Sequence, residues 1–170
     1  MNQKQEFYEK NLERVNYWLQ FAETKNAAVI AYDVAILAVI YSSEIAKDRG
    51  QIIVLTLVFA LSLSIAFASL FPRYMKNVNI ACGAYDMQRD NYLFWNDIAK
   101  YSAQDYWQYV NKALWGEETE ATVSAMEMMY IGETIANARI AKYKYQLFRK
   151  SVIVAIIGTV LIPAFLFIMS

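Results

Sequence analysis

The chain has 170 residues, 58% of them hydrophobic, and 16 basic and 16 acidic side chains give a formal net charge of zero. It holds no histidine and one cysteine, Cys82, which excludes Ser-His-Asp and Cys-His catalysis, His-ligated zinc or haem, an intrachain disulfide and a thiolate metal cage. Five Gly and two Pro argue against disorder and a many-turned β fold, and the zero net charge argues against a generic nucleic-acid binder.

Residues 1–25 form a charged amphipathic arm in which Tyr8, Leu12, Val15, Leu19 and Ala22 recur at spacings of 4, 3, 4 and 3, the apolar stripe of a heptad helix. No Gly or Pro occurs before Gly50, so one helix is expected over 3–43, about 60 Å long at the α-helical rise. Its second half, 26–43, is the first of three expected membrane crossings, interrupted only by Asp33. The run starts behind a charged arm and no A-x-A-like site follows it, which points to a retained span, not a cleaved leader. A loop over 44–51 leads to the second crossing, 52–71, which has 20 residues and no charge. The third, 151–169, has 19 residues, also uncharged. About 20 apolar residues span a hydrocarbon core. Gly158 and Pro163 allow a kink in the third crossing.

Between the second and third crossings lies a helical region, 72–150. Pro72-Arg73 is expected to end the second crossing. A helix is then expected over 76–98, and another from Ala103 to about Leu114, N-capped by Ser102 with Asp105 in its first turn and broken at Trp115-Gly116. A last helix is expected to run from Glu117 into the third crossing. It carries five acids between 117 and 133 and five bases between 134 and 150. Four Lys or Arg lie in 1–26, ten in 72–150, and only Lys47 and Arg49 in the loop 42–51. The positive-inside rule therefore places the N-terminus and 72–150 in the cytoplasm, with the loop and the C-terminus outside.

The expected fold is an all-α integral membrane protein with long helices continuous from cytoplasm into membrane. Asp33 is the most informative polar residue: a carboxylate in mid-membrane faces either other protein or water. It lines a cation-conducting pore, with Thr56 and Ser62 facing the same water, or it is a hydrogen-bonded group that fixes helix packing. The repeats Ala27, Ala31, Ala35 and Ala60, Ser64, Ala68 suit close helix approach in lipid. Nine aromatic residues between Tyr85 and Trp115 make either a helical core or a base-stacking pocket. In the second case Arg73, Arg89, Trp95, Arg139 and Lys142 are the ligand-binding candidates, the ring for the base and the cations for phosphate. No metal or phosphate-loop motif is present, so no cofactor and no enzymatic activity are expected.

Three stretches resemble one family. They are Phe21-Ala-Glu-Thr-Lys-Asn-Ala-Ala28; Ser69-Leu-Phe-Pro-Arg73 with Asn91-Tyr-Leu-Phe-Trp-Asn-Asp-Ile-Ala-Lys100; and Tyr130-Ile131 through Lys142-Tyr-Lys-Tyr-Gln-Leu-Phe148. In order and spacing they are similar to the Pycsar transmembrane effectors of bacterial antiphage defence. The resemblance implies an inner-membrane effector answering to a nucleotide or oligonucleotide signal from a partner nucleotidyltransferase or cyclase, in this family a cyclic pyrimidine mononucleotide, and acting by membrane impairment and growth arrest. It supplies no ligand residues. Because three spans cannot enclose a pore, a channel of this kind is expected to be a homo-oligomer of four or more subunits in the bilayer. The alternative is a non-channel membrane scaffold that recruits a soluble partner.

Overall fold

A computed structural model describes residues 3–42, 49–71, 83–116 and 123–168. Five helices occur among them: α1 (Gln3–Ser42), α2 (Arg49–Leu70), α3 (Trp95–Ile98), α4 (Ala103–Trp115) and α5 (Ala125–Ile168). No strand occurs among the described residues. The chain divides into two compact units, and α1 and α5 each contribute to both. One comprises 1–21 and 73–143, the other 22–72 and 144–170.

The first unit is built on aromatic burial. Tyr8 and Val15 of α1, Ile98, Tyr101, four residues of α4 (Tyr106, Trp107, Tyr109, Val110) and Ile131, Ile135 and Ala138 of α5 form one core. Tyr8 and Val15 are thus covered within the chain, so this part of the heptad stripe serves the protomer's own core. It is not an association surface left open. Asn11, one position before the expected Leu12, is a buried polar member: its Nδ2 donates to the Tyr106 hydroxyl at 2.6 Å.

Two expectations fail in this unit. The described part of 76–98 is helical only over Trp95–Ile98. The reason lies in Asp and Asn side chains, which compete with the helix for backbone donors. Asp86 Oδ1 accepts from Gln88 N at 2.9 Å, Asn91 Oδ1 from Leu93 N at 2.8 Å, and Asp97 Oδ2 from Asn91 N at 3.1 Å. The carbonyls of Asp90 and Tyr92 are meanwhile taken by the phenols of Tyr109 and Tyr106. The last helix also starts later than expected. Val123 and Ser124 are not helical, and α5 opens behind the sequence Ser124-Ala-Met-Glu127, a capping box. Its two reciprocal bonds are long, at 3.4 and 3.5 Å. Glu117 to Glu120 lie outside the described residues. The expected helix after Ser102 is present. Ser102 Oγ accepts from Asp105 N, and α4 runs one residue past Leu114 before Gly116 closes it in the left-handed region at φ 64°.

The second unit packs three long helices on seams of 3.5-residue period. Buried positions are 22, 26, 29, 33 and 40 on α1, 55, 59, 62, 66 and 69 on α2, and 144, 151, 155 and 158 on α5. Such seams bring helices together at a shallow crossing angle. Gly158 is where α5 comes close to α2: a Cβ there would meet the Phe59 ring at 2.8 Å. The α5 helix continues through Pro163. The outer faces are apolar and uncovered, with Leu57, Leu61, Ile156 and Val160 all more than half exposed. Three helices are long and apolar enough to cross a membrane, and hydrocarbon is the solvent such faces require. Ala27, Ala31 and Ala35 lie on this exposed surface, so they do not pack helices within the chain.

Candidate functional site

The membrane seam is studded with polar groups. Asp33, Ser62 and Ser151 are each fully buried, one from each helix. Ser62 Oγ lies 2.6 Å from Asp33 Oδ2 and 3.0 Å from the carbonyl of Ser151. A hydroxyl has one proton to give and can receive another. Ser62 thus ties the Asp33 carboxyl of α1 to the backbone of α5. The second carboxyl oxygen, Oδ1, is buried with no hydrogen-bond partner. Thr56 stands apart from this cluster, on the Tyr41 hydroxyl at 2.9 Å.

A second polar layer lies nearer the charged end of the same helices. Lys144 is buried, and its Nζ donates to Glu23 Oε1 at 2.7 Å and to the Ser69 carbonyl at 2.8 Å. Asn26 Nδ2 donates to the Ala22 and Lys144 carbonyls, while Asn26 Oδ1 and Ser69 Oγ are buried without a partner. Sequence reasoning passed over Asn26, Lys144 and Ser151. The available signal was register: Ala22, Asn26, Val29 and Asp33 follow the heptad spacing, so a polar residue at Asn26 had to be interior.

The ligand candidates of the first unit have different surroundings. Arg139 is committed to the fold, with Nε donating to the Ala99 carbonyl at 3.1 Å and Nη2 to the Tyr101 carbonyl at 3.0 Å. Trp95 packs partly buried against the aromatic core. Arg89 is exposed, 3.7 Å from Asp86. Lys142 is half-buried on α5, and Arg73 lies outside the described residues. Most of the aromatic crowd is core, as one of the two readings expects. At its edge Tyr85, Tyr101 and Tyr109 stack in succession, with centroids 4.7 and 5.4 Å apart, and the outermost ring, Tyr85, is exposed.

An unexpected ion cluster holds the turn beside this stack. Lys100 Nζ lies 2.5 Å from Asp90 and 2.7 Å from Asp97. Burial pushes the Asp90 carboxyl up. The bonds from Lys100, the Asp86 backbone and the Tyr101 hydroxyl outweigh that and hold it below the ordinary carboxylate value. The same bonds from Asp90 and Asp97 raise the Lys100 ammonium. No group of His, Cys, Asp and Glu suited to a metal ion occurs among the described residues.

Comparison with known proteins decides the family. The model of the Pycsar effector protein domain matches residues 7–170. The chain belongs to the Pycsar effector family. No curated protein and no solved structure matches it. A Pycsar effector is an antiphage membrane effector whose signal is a cyclic nucleotide from a partner cyclase, and the three apolar helices of this one suit an inner-membrane protein.

Proposed function

We propose that this Pycsar effector is a nucleotide-regulated, channel-type protein that permeabilises the inner membrane without catalysing a reaction. The observation that carries the reading is the sealed Asp33–Ser62–Ser151 cluster, with an unbonded carboxyl oxygen in the middle of three membrane helices. Mid-membrane carboxyls are costly and mark ion or proton paths. In the packed arrangement the cluster is dry and the protein is closed. In an open arrangement the seam separates, Asp33 ionises into water, and a ring of Asp33 and Ser62 from several copies selects cations. Four or more subunits make that ring.

The ligand acts at the first unit, which the charge asymmetry assigns to the cytoplasm together with the N-terminus. Its exposed Tyr85 ring offers stacking and Arg89 or Lys142 a phosphate contact, while Arg139 reaches from α5 to the Ala99 and Tyr101 carbonyls beneath that ring. The helices α1 and α5 belong to both units, so a nucleotide favouring one helix arrangement biases the membrane seam. It shifts the equilibrium by its affinity difference between the two states and by no more.

The test is leakage from liposomes holding the purified chain, with each cyclic mononucleotide added in turn. Ion or dye release in at least one condition is expected. In planar bilayers, Asp33→Asn is expected to move the reversal potential toward zero in a cation gradient. Liposomes that stay tight under every nucleotide would replace the channel with a scaffold.

A further inference from the structure

The membrane-spanning unit carries a groove that the channel reading does not use. It lies between α1 and α5, has a volume of about 360 Å³ and is open along one side. Its floor is made by the buried side chains of Val29 and Ala155, and Ala28 keeps its rim low. Its deep end is closed by a hydrogen bond of 2.6 Å between the Tyr32 hydroxyl and Thr159 Oγ1. From Lys25 to Tyr32 the groove follows α1 for about 10 Å at the α-helical rise, parallel to the helices and hence to the chains of a bilayer leaflet.

The mouth differs in chemistry from the rest. Lys25 Nζ sits over the rings of Tyr145 and Phe148, 5.4 and 5.3 Å from their centroids. Arg149 and Lys150 are exposed at the same boundary, immediately before α5 turns apolar at Ser151. An apolar slot with cations at its interfacial end is complementary to a phospholipid with an anionic headgroup, and basic pockets between membrane helices bind such headgroups. A second copy's apolar helix in the same groove would have to cover the Lys25 ammonium, which favours lipid as occupant.

We infer that this groove is a binding site for one anionic phospholipid, its acyl chain against Val29 and Ala155 and its phosphate at Lys25. The experiment is native mass spectrometry of the full chain in detergent, with phosphatidylglycerol or phosphatidylcholine of the same acyl chains. Wild type is expected to retain phosphatidylglycerol about fivefold better, the ratio due to one basic residue near an anionic surface. Lys25→Gln is expected to abolish the preference while leaving the weaker phosphatidylcholine signal. Ala28→Trp, which fills the groove from its rim, is expected to remove both. Helical content and Tm of each variant are recorded alongside, and phosphatidylglycerol is expected to raise the Tm of wild type but not of Lys25→Gln, so the lysine variant decides the matter if the tryptophan variant does not fold. Equal retention of the two lipids by wild type would overturn the site. So would an unchanged preference in Lys25→Gln, or a change of oligomer mass in Ala28→Trp with lipid retention unaltered, the outcome expected if the groove seats a second copy.

Discussion

At the scale of single residues, charge is used in opposite ways in the two units. In the membrane unit Lys144 is nearly inaccessible while its partner Glu23 is half exposed. Among the described residues, removing the carboxylate leaves the ammonium with the Ser69 carbonyl. A hydrogen bond to a charged group contributes about 1.5–3 kcal/mol, and the exposure of Glu23 brings the expectation to the lower end. Glu23→Gln, which keeps an acceptor, is expected to cost less than Glu23→Ala; thermal unfolding in detergent distinguishes them. In the first unit the Asp90–Lys100–Asp97 cluster makes stability depend on pH. Asp90 titrates lower folded than unfolded, so its contribution is present above about pH 4 and is lost as pH falls through the folded value. Lys100 is raised by its two carboxylate bonds, and Tyr101 by burial and then by its bond to Asp90, so their contributions are present below about pH 10 and are lost as pH rises through the folded values. A stability plateau between about pH 5 and 10 is expected. Near-UV circular dichroism of the buried tyrosines reads it, and Asp90→Asn is expected to flatten the acid limb.

At the scale of elements, α5 offers a matched comparison. Gly132 and Gly158 lie in the same helix, and each loses backbone freedom relative to alanine. A Cβ at Gly132 meets nothing within 4 Å, whereas one at Gly158 meets Phe59 at 2.8 Å and Val58 at 3.0 Å. Phe59 is fully buried and has little room to yield. Gly132→Ala is therefore expected to stabilise by up to about 1 kcal/mol. Gly158→Ala is expected to destabilise by about 1–3 kcal/mol, since overpacking outweighs the same helix gain. Both are read by unfolding in detergent. Removing the cap of α4 by Ser102→Ala is expected to cost about 1 kcal/mol, and the loss should be confined to probes of the first unit. Local chemistry explains which element boundaries were readable. Ser102 and Gly116 carry their own end signals and were placed within a residue. The box Ser124-Ala-Met-Glu127 carried an equally good signal, but a run of glutamates just before it drew the helix start forward. Over 83–94 the helical pattern of apolar residues was present, yet Asp86, Asn91 and Asp97 bind backbone donors and the phenols of α4 take the carbonyls, which no periodicity reports.

At the scale of the whole molecule, the two units bury different things. The first buries tyrosines with their hydroxyls paired; the second buries polar and small side chains beside a small core of Ile40, Leu55 and Phe59, and leaves many of its large apolar ones outside. That inversion is what lipid as a solvent demands, because apolar surface gains little there from being covered and hydrogen bonds and close packing hold helices together. The sequence alone determined the helical class, the three runs long and apolar enough to cross a membrane, and the family, since uncharged runs and the order of family motifs are properties of the chain in one dimension. It also singled out Asp33 and Ser62, because a polar group in an apolar run is visible by contrast. It could not say that the two meet, nor that Arg139 bonds the Ala99 and Tyr101 carbonyls, nor that Lys144 lies interior while Lys25 stands at the mouth of a groove. Those facts depend on which face of each helix turns toward its neighbours. A shift of one residue, about 100° around the helix, exchanges a buried charge for an exposed one, and only tertiary packing fixes that angle.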